Sequence, residues 1–231
     1  MKQALFVFGF MTIATTAGAQ VSVGYPPESS PFRDLEYHQE LTAFGGYFDP
    51  ADDPAGVAPQ GGPMGGIRYE ITVGGPVQLV TRFARANSKR NVIDPTKPEG
   101  TRSLGSAEWP VYLADAGFSL NLTGQRSWHG VVPLVYLGAG VASDAGKKVE
   151  ADPYRLGTTF AILYAAGLRI VPGGRLQIRA DAGTHMYQIK YPAAYFIKAS
   201  DDTQVLPDSQ SKSFWKRNQA YTLGISYLLF R

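Results

Sequence analysis

The segment from Gln219 to Phe230 alternates large apolar side chains with small ones. Side chains of a β-strand point to opposite faces in turn, so this segment would form a strand with one apolar face and one face of Ala, Thr, Gly and Ser. After position 19, no stretch is apolar for the roughly 20 residues that a transmembrane helix needs. The alternation therefore favours a fold built from strands.

Seven earlier segments are also typical of strands, with clusters of Gly, Pro and polar residues between them. They cover about 37–48, 66–73, 77–85, 111–122, 130–142, 158–171 and 175–188. Long connections (49–63, 87–108, 144–156 and 190–213) alternate with short ones. This pattern predicts an all-β fold, an eight-stranded antiparallel up-and-down transmembrane β-barrel with short periplasmic turns and long extracellular loops.

The amino terminus has the pattern of an export signal. Lys2 precedes an apolar run at residues 4–11, and small residues follow at Ala17 and Ala19. These features predict a signal peptide over 1–19, cleaved after Ala19. A proline-rich periplasmic lead-in over 20–34 and an outer-membrane barrel over 35–231 would follow, in a cell of the Gram-negative type.

Composition excludes several classes of function. The 231 residues include no Cys, so disulfides and thiol chemistry are excluded. The formal net charge is +3, but Lys and Arg are scattered among acidic residues and form no run. No nucleic-acid partner is therefore expected.

A soluble eight-stranded barrel of the lipocalin type is the main alternative, since its strands also alternate. It would expose charged faces to water, whereas the non-apolar faces here are rich in Gly, Ala, Thr and Ser. Trp109, Trp128 and Trp215 occur at predicted strand ends and would form an interface belt in a membrane. These observations favour the membrane barrel.

If the apolar faces point to lipid, the opposite faces carry the charged residues of the strands into the lumen. The inward set contains four acidic residues and four arginines: Glu40, Arg68, Glu70, Arg82, Asp115, Arg169, Arg179 and Asp181. Isolated buried ions are costly, so these charges are expected to pair and plug the lumen. A narrow water path is the alternative, because Gly138 and Gly140 also face inward and would leave space.

By these features the chain resembles the small eight-stranded outer-membrane proteins, the group of outer membrane proteins A and X and their opacity-type relatives, over about residues 35–231. The segment 133–141 is similar to a Pro-Tyr-x-Gly-x-Gly strand common in that group. The terminal strand resembles the family's assembly signal, although Arg231 follows the terminal aromatic residue here. Its matching residues are Tyr221, Leu223, Ile225, Tyr227 and Phe230.

The resemblance implies a monomer whose partners are outer-membrane lipid and the barrel assembly machinery. Members of the group act as structural pegs, adhesion or serum-resistance factors, narrow channels or lipid A-modifying enzymes, and fold alone does not choose among them. Lipid A deacylases of this size carry a His-x-Ser pair. None of His38, His129 and His185 begins such a pair. No catalytic, cofactor-binding or metal-binding residues are therefore predicted.

The long loops are the remaining candidates for function, through a possible extracellular ligand. The fourth loop contains Tyr191, Tyr195, Phe196 and Ile197, which would extend the strands or form an exposed apolar patch, with strand extension favoured. The sequence thus predicts a non-enzymatic outer-membrane barrel with a structural or surface-interaction role and a plugged lumen. A narrow passive channel is the second hypothesis and a lipid A-modifying enzyme the third.

Overall fold

A computed structural model describes residues 30–35, 38–144 and 149–230. The chain divides into two units, residues 1–30 and 31–231, and all strands named below belong to the second. The predicted signal peptide and most of the lead-in lie outside the described residues. No helix among the described residues is long and apolar enough to cross a membrane.

Eight antiparallel strands form a closed ring. They are β2 (Gln39–Pro50), β3 (Gly62–Gly74), β4 (Val77–Ala86), β7 (Val111–Asn121), β9 (Val131–Asp144), β10 (Thr158–Ile170), β11 (Leu176–Lys190) and β12 (Ser213–Phe230). Each pairs with the next in chain order, and β12 pairs with β2 to close the ring. The structure confirms the predicted all-β, eight-stranded antiparallel barrel.

Every barrel strand alternates between buried and exposed side chains, as a closed sheet requires. On β10, for example, Phe160, Tyr164 and Leu168 are exposed while Leu163 and Arg169 are buried. The outer surface is therefore a band of large apolar side chains, and the polar faces of the strands point into the lumen. Such a surface suits lipid and would be a poor surface in water.

The connections leave the barrel at two ends. At the turn end, β3 and β4 are joined by Gly75 and Pro76, and Gly75 adopts a positive φ of 54° that side chains with a Cβ rarely accept. At the loop end, four longer connections follow β2, β4, β9 and β11. These two ends are called the turn end and the loop end below.

The second loop-end connection contains regular structure where the sequence predicts a long polar loop. It holds the hairpin of β5 (Lys89–Ile93) and β6 (Ser103–Glu108), with a 3-10 helix over Glu99–Thr101 between them. A second 3-10 helix, Ala193–Phe196, follows β11. The predicted strand extension at residues 191–197 is therefore wrong, because β11 ends at Lys190.

Two short strands lie at the turn end. The strand β1 (Phe32–Asp34) pairs with β8 (Arg126–Trp128), which lies in the connection from β7 to β9. Residues 32–34 were expected to be part of the lead-in, and residues 126–127 part of a turn. Ladder hydrogen bonds therefore join the end of the lead-in to the sheet of the barrel.

The loop-end connections pack together into a folded layer, called the cap below. Its apolar core continues the inward-facing side chains near the loop end, such as Phe48 and Leu113. Buried members from the connections are Val57, Ala58, Tyr154, Tyr191, Tyr195 and Leu206. The aromatic residues of the fourth connection therefore close over the barrel instead of extending its strands.

Candidate functional site

The structure places all eight predicted lumen charges inside the barrel. Seven of them are buried and Asp115 is half-buried, and Arg169 has no exposed surface. Six of the eight strands, β2, β3, β4, β7, β10 and β11, contribute at least one of these charges, so the charged layer surrounds the lumen.

Neighbouring strands place like charges side by side. Glu40 on β2 lies opposite Glu70 on β3, and Arg68 on β3 lies opposite Arg82 on β4. On the other side of the barrel, Arg169 lies opposite Arg179. Like charges directly opposite each other destabilise a sheet, so these neighbours must be compensated from elsewhere.

The compensating contacts run across the lumen. In the ring of eight strands, β10 lies opposite β3. Arg169 Nη2 on β10 lies 2.6 Å from Glu70 Oε2 and 3.2 Å from Glu40 Oε2. Arg68 Nη2 reaches Asp181 Oδ2 on β11 at 2.9 Å, and Arg179 donates to Glu70 and Asp181. The bonds between side chains therefore bridge the lumen.

A second group of contacts lies nearer the loop end. Arg82 Nη2 donates to Asp115 Oδ2 at 2.9 Å, and the Tyr136 hydroxyl donates to Asp115 Oδ1 at 2.7 Å. The same Arg82 nitrogen lies 3.4 Å from His185 Nε2 on β11, the strand opposite β4. This group also crosses the barrel.

Little space remains between these groups. A cavity between them has a volume of about 10 Å³ and is lined by Arg68, Arg82, Tyr136, Arg179 and Asp181, among others. That is at the lower limit for a single water molecule. Tyr136 lies over Gly138, and the backbone of Ala114 approaches Gly140 closely, so neighbouring atoms occupy the space beside these two glycines.

The cap contains a further buried ion pair that sequence reasoning missed. Arg90 Nη1 on β5 lies 2.6 Å from Asp152 Oδ2 in the third loop-end connection, and neither side chain is exposed. The Arg90 guanidinium also lies 4.1 Å from the centroid of the Trp109 ring. The backbone N–H of Ile93 and the Tyr195 hydroxyl donate to Asp152. Asp152 therefore joins the second, third and fourth connections.

The first connection is joined to the fourth by Asp53. The Tyr191 hydroxyl donates to Asp53 Oδ2 at 2.8 Å, and the backbone N–H groups of Val57 and Ala58 donate to the same carboxylate. Burial, and then the nearby carboxylate, raise the pKa of Tyr191. Its hydroxyl therefore stays a donor at neutral pH.

The three tryptophans occupy different environments. Trp128 and Trp215 are 52% and 47% exposed, which suits an interface belt. Trp109 is only 1% exposed, and its indole N–H donates to Asp144 Oδ2 at 2.7 Å. The expectation that Trp109 lies in the belt is wrong, because the ring packs under Arg90 inside the cap.

The residues expected to form the assembly signal lie along β12. Tyr221, Leu223, Ile225 and Tyr227 are all exposed on the outer face. The backbone of Phe230 belongs to β12, but its side chain lies outside the described part of the chain. The alternation that first predicted this strand is therefore present in its exposure pattern.

The three histidines do not meet one another. His185 is buried beside Arg82 and Phe48, and His129 packs on Trp128 at the turn end. The carbonyl of His38 accepts a hydrogen bond from Thr72 N–H at 2.8 Å. Within residues 30–35, 38–144 and 149–230, no group of three or more His, Cys, Asp or Glu is placed to hold a metal ion.

Comparisons with known proteins bear on the fold. No family model matches the sequence, and no curated protein matches it. The structure is similar to Neisserial surface protein A, with 10% identity, 83% of this chain and 97% of that chain covered, and a TM-score of 0.50. It also matches Ail of Yersinia pestis in complex with the heparin analogue sucrose octasulfate, with 13% identity, coverage of 82% and 98%, and a TM-score of 0.43. The fold is that of the small eight-stranded outer-membrane barrels, as the sequence resemblance implied.

Proposed function

We propose that this protein is a closed outer-membrane barrel, which serves a structural or surface-interaction role and conducts no steady ion current. The loop end would face outside the cell and carry the cap. The partners are outer-membrane lipid around the apolar band and the assembly machinery that inserts the strands. The protein acts as a monomer and catalyses no reaction.

The observation that carries this proposal is the set of ion pairs across the lumen. Each arginine in it can bridge carboxylates with its fixed fork of donors, and the four acids balance the four arginines. The cavity among these side chains, of about 10 Å³, is far too small for a column of water through the bilayer. Balanced charges held in pairs favour a plug over an ion-selective path.

Conductance in planar bilayers tests the proposal directly. We expect negligible steady current from the unmodified protein. Arg82→Ala and Arg179→Ala should each produce a leak, because truncation opens space in the lumen. The first variant leaves Asp115 without an arginine partner, and the second leaves Glu70 and Asp181 with one arginine partner fewer. Arg175→Ala is the matched control, since Arg175 is exposed at the turn end and lies outside the lumen.

Sustained, ion-selective current through the unmodified protein would overturn the plug and favour the narrow channel. The same preparation, supplied with outer-membrane lipids, also tests the enzyme hypothesis. Release of fatty acid in proportion to the amount of protein would contradict a non-enzymatic role. Neither outcome depends on which extracellular partner the protein has.

A further inference from the structure

The first loop-end connection encloses a polar pocket of about 470 Å³. Residues 49–53, Gly56 and residues 58–61 form most of its wall, and Tyr47 on β2, Asn91 on β5 and Lys216 on β12 complete it. Its volume lies within the range of ligand sites, which is roughly 300 to 1,000 Å³. The pocket lies at the rim of the barrel, apart from the charge network of the lumen.

Lys216 has an unusual environment for a lysine. Only 4% of its surface is exposed, yet it takes part in no ion pair and no side-chain hydrogen bond among the described residues. Asp53 and Asp52 interact with Lys216 electrostatically, but neither forms an ion pair with it. Lys216 lines the pocket and its ammonium group has three donors to satisfy, so a ligand oxygen in the pocket would stabilise it.

The carboxylates of the pocket differ in whether they already accept hydrogen bonds or form ion pairs. Asp53 accepts from Tyr191 and from two backbone N–H groups. Asp49 and Asp52 are exposed and have no ion pair within the described residues. Three carboxylates and one ammonium group leave a net charge of −2 on the pocket walls. Asp49 and Asp52 are thus free to accept from a ligand.

We propose that this pocket binds a small zwitterion that carries an oxyanion and an ammonium group. The oxyanion pairs with Lys216, and the ammonium group donates to Asp49 and Asp52. A simple anion would be repelled by the net negative charge, and a simple cation would leave Lys216 without a partner. The inference goes beyond the plug, because the pocket would bind its ligand whether or not the lumen conducts.

Such a ligand has two sources with the same chemistry. A free phosphate monoester of an amino alcohol carries both groups, and so does the headgroup of an ethanolamine phospholipid. Tyr47 lines the polar pocket and also an apolar groove of about 810 Å³ on the outer face of the barrel, beside Gly45 and Ala182. An acyl chain in that groove would bring a headgroup to Lys216.

Calorimetric titration of the full-length mature protein tests the site. The protein is placed in nanodiscs of phosphatidylcholine, whose quaternary ammonium group cannot donate hydrogen bonds, and titrated with O-phosphoethanolamine. We expect saturable binding of this probe. Inorganic phosphate alone and ethanolamine alone should each bind roughly 10-fold more weakly or worse, because each satisfies one half of the pocket.

Variants connect the binding to the named side chains. Lys216→Met keeps the apolar stem but removes the ammonium group, and should weaken O-phosphoethanolamine binding roughly 10-fold or more. Asp52→Asn should weaken it in the same direction. Lys190→Met is the matched control, because Lys190 is exposed at the end of β11 and lies outside the pocket. Heat-modifiable migration on gels verifies that each variant is folded.

Acylation of Lys216, followed by mass spectrometry, provides a second readout in the unmodified protein, and O-phosphoethanolamine should slow it. Repeating the titration in phosphatidylethanolamine nanodiscs distinguishes the sources. Weaker binding there supports a lipid headgroup, and equal binding supports a free ligand. No binding of the probe, or equal binding by Lys216→Met, overturns the proposal while leaving the conductance test unaffected.

Discussion

Buried charged side chains stabilise two separate layers of this protein. In the lumen, each carboxylate is reached by an arginine, in most cases from a non-neighbouring strand. In the cap, a single pair, Arg90 and Asp152, joins three connections. Breaking a buried pair by removing one partner costs about 3 to 5 kcal/mol, because the other charge is left uncompensated.

Asp152→Asn is therefore expected to loosen the cap while the barrel stays folded. Arg90 already has buried Nε and Nη2 atoms without a hydrogen-bond partner among the described residues, so loss of its counter-charge leaves it poorly compensated. Amide hydrogen exchange at Ile93 and Tyr154 should rise by an amount equivalent to a few kcal/mol of local stability. Exchange measured by mass spectrometry on the folded protein reports this.

The matched control for that substitution is Asp202→Asn. Asp202 lies in the fourth connection, where its pair with Lys198 is largely exposed. Exposed pairs contribute about 0 to 1 kcal/mol, so exchange in the cap should hardly change. Equal exchange in the two variants would mean that the pair of Arg90 and Asp152 does not hold the cap together.

For a strand, the face on which a side chain lies and its depth in the bilayer decide which substitutions that position tolerates. The outer face of β12 carries Gln219, Tyr221, Leu223 and Ile225, and all of them are exposed. About 9 to 11 residues of a tilted strand cross the bilayer. Counting from the turn end, Leu223 lies inside this span and Gln219 lies at its outer edge.

Leu223→Lys should therefore impair assembly, since a cation facing lipid near mid-bilayer costs about 2 to 4 kcal/mol. Gln219→Lys places the same side chain on the same face near the interface, where the cost falls to about 0 to 1 kcal/mol. Heat-modifiable migration of the membrane-extracted protein measures the folded fraction. If both variants assembled equally, the outer face of β12 would not contact lipid at Leu223.

The hairpin of β5 and β6 permits a test of which layer closes the barrel. It lies outside the ring of eight strands, and β6 is largely exposed. The lumen network contains no residue from it. The network should therefore stay intact when the hairpin is shortened.

Replacing residues 92–105 with a two-residue Asn-Gly turn, which favours a tight hairpin, should leave conductance negligible. Arg90 and Trp109 are retained in this variant, so the pair of Arg90 and Asp152 keeps both partners, while the bond from Ile93 N–H to Asp152 is lost. Planar-bilayer recording alongside the unmodified protein gives the measurement. A leak from the shortened protein would show that the cap, rather than the ion pairs in the lumen, blocks the path.

At the scale of the whole molecule, the protein suits a barrel that spans the outer membrane. Its strands form a closed ring, its outer face is a band of apolar side chains, and its two ends are polar. Export to that membrane requires a leader, which the sequence predicts over residues 1–19. We expect protein from the outer-membrane fraction to begin at Gln20, because the small residues Ala17 and Ala19 precede that position. Intact-mass spectrometry checks this, and a mass that retains Met1 would contradict cleavage.

The alternation of side chains was sufficient to predict all eight barrel strands and the face to which each charge points. The alternation of side chains with a period of two residues is a local property of a strand. Arg169 and Glu70 could therefore be assigned to the lumen without knowledge of the residues that contact them. The exposed Tyr221 and Leu223 follow from the same rule. Local pattern thus determined the ring and the composition of its inner layer.

Only the tertiary structure decided which charges meet. Like charges are often neighbours along the sheet, as Arg68 and Arg82 are, so a pairing guessed from adjacent strands succeeds for Arg82 and Asp115 but fails for Glu40 and Glu70. The arginine partners of those two glutamates include residues across the lumen, where strand tilt and ring closure set their heights. The environment of Trp109 and the lack of an ion pair at Lys216 could not be predicted for the same reason. Both depend on how separate connections pack over the barrel, and a local alternation of side chains does not determine contacts between distant segments.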